Sequence, residues 1–303
     1  MIPKSAHPLA GVYAAALTPL NQDHDPDLAA IPELLNFLAK RGCHGALLLG
    51  TTGEGPSFSE EERLPIFQAA LEVRQIHPDF RLLAGTGTPN LPETIRLTKA
   101  AFDLGFEGVV VLPPYYYHQA GTEGLYGWYC EVIERAVPKD GYLFGYHIPA
   151  QSRVPLPLDL LTQLKDTFPD QFAGIKDSSS DPHHAELLGQ RFGNSLTVLT
   201  GNDSLMTYAL EHHASGCITA LANLFSSDLR LVWDAHQQGE KASEAQSRLN
   251  AYRTIMSQYT PYPPSIKALL PHFSSFPHWP VRLPLRPLAL ERTQQALEEL
   301  SDI

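Results

Sequence analysis

Lys176 closes the run Phe172-Ala173-Gly174-Ile175-Lys176, so an amine stands at the end of an apolar segment. Partial desolvation beside nonpolar walls disfavours the charged form of such a lysine. A neutral amine can add to a ketone to give an iminium, an electron sink that lets a neighbouring carbon–carbon bond break or form. A lysine snorkelling at a strand end, or paired with Asp177, fits the same position. Tyr146 closes the run that starts at Tyr142 and offers a phenol able to give and take protons, as iminium chemistry requires. Taken alone it reads equally well as a core tyrosine with a satisfied hydroxyl. Gly50-Thr51-Thr52-Gly53-Glu54 follows another apolar run. Its hydroxyls and backbone N–H groups could hold a carboxylate, with glycines permitting unusual dihedrals, or it could be a simple turn. A carboxylate clamp beside an amine suits a 2-oxo acid, because fixing the acid end aims the ketone at the lysine. Thr51 could also pass protons towards Tyr146.

Eight short apolar runs must position these groups: they begin at Gly11, Gly45, Arg81, Gly108, Tyr142, Phe172, Leu196 and Gly216. Helical segments with start signals lie between them, such as Ser59 before Glu60, Glu61 and Glu62, and Asp181 before Pro182. Apolar runs without strict alternation suit parallel strands buried on both faces. Their recurrence at intervals of roughly 25 to 35 residues predicts an α/β chain folded as a closed (β/α)₈ TIM barrel. In that architecture the polar residues ending the strands, here Thr51, Thr52, Tyr146 and Lys176, share one rim. Tyr146 and Lys176 end consecutive strands and become neighbours on it. The pattern assigns residues 1–238 to the barrel and 239–303 to a C-terminal helical extension packed on it. Within the extension, helices are expected over 241–257 and 288–300, with short helices and turns across the prolines between Pro263 and Pro287.

A net charge of −11, with no stripe of Lys and Arg, argues against nucleic acid as a partner. Cys43, Cys130 and Cys217 are odd in number and widely spaced, which argues against a disulfide framework or a zinc site and suits a reducing cytoplasm. The opening MIPKSAHPLAG has no leader core, and Pro, Gly or charge interrupts every apolar stretch before bilayer length, so no membrane partner is expected. No metal and no cofactor is implied. The strand ends offer mainly Thr, Tyr and Lys, and the adjacent pairs His183–His184 and His212–His213 diverge on a helix and read as solvated surface. Asn202 and Asp203 read as helix-capping residues, and Ser178, Ser179 and Ser180 as loop and cap residues.

The motifs GTTGE at Gly50, Tyr146 to Pro149, and GIKD at Gly174 to Asp177 resemble, in order and spacing, those of the dihydrodipicolinate synthase and N-acetylneuraminate lyase superfamily. PPYYYH near Pro113 and EGLY at Glu123 add to the match, which covers nearly the whole chain. The resemblance implies a class I pyruvate aldolase or lyase, with the Schiff base on Lys176, Tyr146 and Thr51 as catalytic groups, and Thr51, Thr52 and Gly53 binding the substrate carboxylate. It further implies that Tyr116 reaches into a neighbouring subunit's site, in a homo-oligomer that is a dimer or tetramer. An aromatic packing role fits any of Tyr115, Tyr116 and Tyr117 as well.

The synthases of this superfamily resemble the chain closely, but their strand-five motif continues through Ser to an Arg that binds the carboxylate of aspartate semialdehyde. Here Ala150 and Gln151 follow Pro149, and an arginine comes only at Arg153. GIKDSS is more similar to the 2-keto-3-deoxy sugar acid aldolases, which implies reversible aldol cleavage of such an acid, or of a 4-hydroxy-2-oxo acid, to pyruvate and an aldehyde. Dihydrodipicolinate synthesis and dehydration of a deoxy-keto sugar acid are the enzymatic alternatives. A 2-oxo acid sensor is the non-enzymatic one, although binding alone needs neither a Schiff-base lysine nor a proton relay.

Overall fold

The computed structural model describes residues 7–303. The reading of the opening residues as lacking a leader core falls partly on residues 1–6, outside the described ones. Eight parallel strands close a barrel in chain order: β1 (Gly11–Ala15), β2 (Gly45–Leu48), β3 (Arg81–Gly85), β4 (Gly108–Val111), β5 (Tyr142–His147), β6 (Phe172–Asp177), β7 (Thr197–Thr200) and β8 (Gly216–Thr219). Their near-continuous apolar sequences follow from burial on both faces. In β1, Val12 and Ala14 pack in the layer between barrel and helices, whereas Tyr13 and Ala15 fill the barrel. The same alternation in β5 turns Phe144 and Tyr146 inward.

Helices α1 (Ala30–Lys40), α2 (Glu60–Ala70), α3 (Leu91–Asp103) and α4 (Gly121–Ala136) connect the first five strands. After β5 come a short helix α5 (Pro149–Ser152), then α6 (Leu158–Thr167), α7 (Pro182–Phe192), α8 (Met206–Glu211) and α9 (Ala222–Gln238). Both start signals act as expected: Ser59 and Glu62 form a reciprocal capping box on α2, and Asp181 accepts the His183 amide at the start of α7. Among the described residues, no helix is long and apolar enough to cross a membrane.

The extension consists of α10 (Ser243–Met256), α11 (Tyr262–Phe273) and α12 (Leu290–Ser301). The proline-rich stretch departs from the expected short pieces in one respect, since α11 is a 12-residue helix. Pro263 and Pro264 occupy its first turn, where a missing N–H goes unnoticed, and Pro271 lies near its end.

A buried ion pair fastens this extension to the barrel. Lys267 of α11 places its Nζ 2.5 Å from Glu54 Oε1 and 2.7 Å from the Pro280 carbonyl. The other Glu54 oxygen accepts the Arg282 amide at 2.8 Å. Burial lowers the Lys267 pKa from its ordinary value, and the Glu54 carboxylate only partly offsets that. Truncating one partner of such a pair leaves an uncompensated buried charge. Lys267→Met is therefore expected to cost about 3–5 kcal/mol in urea unfolding, and adding Glu54→Leu should restore much of it. A loss below about 1 kcal/mol would assign the pair no structural role.

Candidate active site

Parallel pairing of β5 and β6 sets Tyr146 directly beside Lys176, and His147 beside Asp177. Lys176 is 3% exposed, and its Nζ stands 4.1 Å from the centroid of the Tyr146 ring. The Tyr146 hydroxyl lies 3.2 Å from Thr51 Oγ1, so the groups ending β2, β5 and β6 meet in one chain of contacts. Burial pushes the Tyr146 phenol up, but the Lys176 charge and the Thr51 hydrogen bond outweigh it, and the phenol titrates below its ordinary value. A phenol so placed gives up its proton more readily than a free tyrosine.

The loop after β2 owes its shape to residues other than those expected. Gly50 and Gly53 do not supply left-handed dihedrals; Leu49 (φ 54°) and Glu54 (φ 56°) do. Gly53 serves close approach instead: a Cβ there would lie 2.7 Å from the Ala16 carbonyl oxygen, and its own carbonyl accepts from Thr18 at 2.6 Å. Strained backbone of this kind persists only when its surroundings hold it, and the bonds to Glu54 supply that hold. Among the described residues, the Thr51 and Thr52 amides donate to no protein acceptor, which leaves both N–H groups for a ligand oxygen.

Lys176, Tyr146, Thr51 and Thr52 line one cavity of about 370 Å³. Ser178, Ser179, Ser180, Gly201, Arg253 and Tyr262 line it as well. Gly53 lies behind this lining. Tyr116 is not part of it; 73% exposed, it packs edge-on against Tyr117 at the surface. Asn202 caps the turn after β7 as anticipated, accepting the Ser204 amide, but Asp203 is fully buried and bonded to Arg253. Neither Glu54 nor Arg253 was singled out by the sequence, because their partners lie 213 and 50 residues away.

The histidine pairs also depart from the solvated surface expected of them. His183 is exposed, but His184 is tucked against Asp177, with Nδ1 3.2 Å from Oδ2, and stacks on His147. His212 and His213 lie past the end of α8, bonded to the Tyr208 carbonyl and Asn194. His147, Asp177 and His184 bring donor atoms within 4.8 Å of one another, as a metal site would. However, His147 Nδ1 accepts the Leu156 amide at 3.0 Å, so the neutral ring carries its proton on Nε2 and offers a cation no lone pair. Burial lowers the His147 pKa to about 4, which keeps the ring neutral near pH 7.

The model of the dihydrodipicolinate synthetase family matches residues 8–303. An uncharacterized DapA-like lyase of Chloroflexus aurantiacus is 39% identical over 283 residues, covering 93% of this chain and 92% of that protein. A 4-hydroxy-tetrahydrodipicolinate synthase 2 of Halalkalibacterium halodurans is 28% identical, covering 93% and 94%. The crystal structure of YagE, an E. coli K12 prophage protein of the dihydrodipicolinic acid synthase family in complex with pyruvate, superimposes with a TM-score of 0.90 at 25% identity, covering 97% of this chain and 98% of that one.

Tyr146→Phe removes the proton-carrying atom without disturbing the packed ring. Turnover is expected to fall by about 10² to 10⁴ with the circular dichroism spectrum retained. Thr51→Val, which breaks the 3.2 Å contact, should give a smaller loss in the same direction. Unaltered kcat in Tyr146→Phe would reduce this tyrosine to packing.

Proposed function

Because the chain belongs to the dihydrodipicolinate synthetase family, we infer that it is a pyruvate-dependent class I aldolase: it cleaves a 2-keto-3-deoxy sugar acid, or a related 4-hydroxy-2-oxo acid, reversibly to pyruvate and an aldehyde. The observation that carries this reading is the in-register placement of Tyr146 beside Lys176 in a cavity also lined by Thr51 and Thr52, whose amides donate to no acceptor among the described residues.

In this reading the Thr51 and Thr52 loop holds the substrate carboxylate. The Lys176 amine adds to C2, and loss of water gives the iminium. Tyr146 takes the proton from the C4 hydroxyl; the C3–C4 bond breaks, its electron pair enters the iminium to form an enamine, and the aldehyde leaves. Protonation of the enamine at C3 and hydrolysis then release pyruvate and restore the amine. The pyruvate bound to the E. coli protein supports the same first substrate here. Ala150 and Gln151 line the cavity where the synthases' arginine would follow the strand-five proline, and Arg153 is exposed outside the lining, which favours cleavage over dihydrodipicolinate synthesis.

The same reading makes the protein a homo-oligomer, dimer or tetramer, in which Tyr116 completes a neighbouring subunit's relay. The adjacent Tyr116 and Tyr117, 73% and 76% exposed, support this, since large aromatics rarely face water together without a partner. Tyr116→Ala should weaken association in analytical ultracentrifugation and lower kcat together; a monomeric wild-type protein would remove Tyr116 from the site.

Incubation with pyruvate and borohydride is expected to leave a reduced adduct on the peptide containing Lys176. Lys176→Ala should stay folded, lose the adduct and lose turnover by several orders of magnitude. A folded wild-type protein that traps no 2-oxo acid would sink the proposal and favour a binding role.

A further inference from the structure

The chemistry so far uses only part of the cavity lining. Lys176 and Arg253 are its cationic lining residues, and no Asp or Glu lines it, although the chain carries a net charge of −11. Lys176 is committed to the Schiff base and the Thr51–Thr52 loop to the pyruvyl carboxylate, which leaves Arg253 without a role. Among the described residues its guanidinium donates a single hydrogen bond, from Nη1 to Asp203 Oδ2 at 3.1 Å, and lies over the Tyr262 ring at 5.2 Å. A guanidinium has five N–H donors, so several remain for a ligand.

A lone ion pair would not distinguish a binding group from a structural one, but the way this pair is mounted does. Asp203 is 0% exposed, whereas the Arg253 side chain keeps 21% exposure at the cavity wall. The anchor is buried and the business end is open. Gln246, two turns earlier on α10, pins the helix to the loop after β7: its Nε2 donates to the Asp203 and Ser204 carbonyls, and its Oε1 accepts from the Thr207 amide and hydroxyl. Arg253 therefore projects from a helix that is also bonded to the backbone of its own counter-ion and of the residues that follow it. That is how a site holds a charged donor at fixed geometry rather than letting it collapse onto the nearest acid. The same cavity is lined by Ser178, Ser179, Ser180 and Gln151, side chains suited to the hydroxyls of a short polyol chain.

We propose that Arg253, braced by Asp203, is the specificity residue for the far end of the substrate, and that the aldehyde released by this enzyme carries an anionic group, a carboxylate or a phosphate. This rests on the aldolase reading above and adds the class of its second product. Planar guanidinium recognition suits either oxyanion, and the test separates them.

Condensation of pyruvate with glyoxylate, glyceraldehyde 3-phosphate and neutral glyceraldehyde would be compared in the wild-type protein and in Arg253→Gln/Asp203→Asn, which removes both charges and strands no buried acid. One of the two anionic aldehydes should exceed glyceraldehyde in kcat/KM in the wild type and so identify the group. The double variant should lower that ratio about 10- to 100-fold, the scale of one charge-assisted hydrogen bond. Arg253→Lys should recover part of it. A wild-type preference for glyceraldehyde, or a ratio that does not move in the double variant, overturns the assignment. Borohydride trapping of pyruvate on Lys176 is run in parallel: an adduct in both proteins shows that a failure belongs to Arg253, whereas no adduct in the wild type overturns the aldolase reading and this proposal with it.

Discussion

The candidate site depends on a buried carboxylate that does not line its cavity. Glu54 sits at φ 56° with its side chain fully buried, one oxygen on Lys267 and the other on the Arg282 amide. An isolated charge could not remain there; buried carboxylates persist only when paired and hydrogen-bonded. Because the strained loop from Leu49 to Glu54 includes Thr51 and Thr52, the pair couples packing of a distant segment to the geometry of the cavity lining. Loop strain, buried charge and the free amides are thus one construction.

Lys176, Tyr146 and Thr51 are positioned more simply. Parallel pairing brings the ends of β5 and β6 level, and a period of two turns Tyr146 and Lys176 to the same side. Closing the sheet then brings Thr51 within reach of the phenol. No long loop is needed to assemble the core of the site, so its geometry is as rigid as the barrel itself. The second layer, with His147, Asp177 and His184, faces the opposite side of the same strand ends and stays neutral or paired.

This explains what the sequence could and could not reveal. The eight strands were legible because burial on both faces leaves unmistakable apolar runs, and the barrel rule then placed Lys176, Tyr146, Thr51 and Thr52 on one rim. Helix starts at Ser59 and Asp181 were legible because their signals are local. The glycines of the loop misled, since their residue type advertises dihedral freedom while the structure uses their lack of a Cβ and puts the unusual dihedrals on Leu49 and Glu54. Glu54, Arg253 and His184 were beyond reach for a different reason. Each draws its role from a partner fixed only by the tertiary fold, and an acid, a base or an imidazole on a helix otherwise looks like solvated surface.

The Glu54–Lys267 pair also has a place in time. Lys267 is synthesised 213 residues after Glu54, which at ordinary elongation rates is an interval of roughly 10–40 s. Throughout it the N-terminal strands can align, but the loop after β2 lacks the cation that makes its final burial affordable. The loop can reach its final shape only once the last helices have emerged, so the nascent barrel can close before the lining beside Lys176 and Tyr146 is fixed.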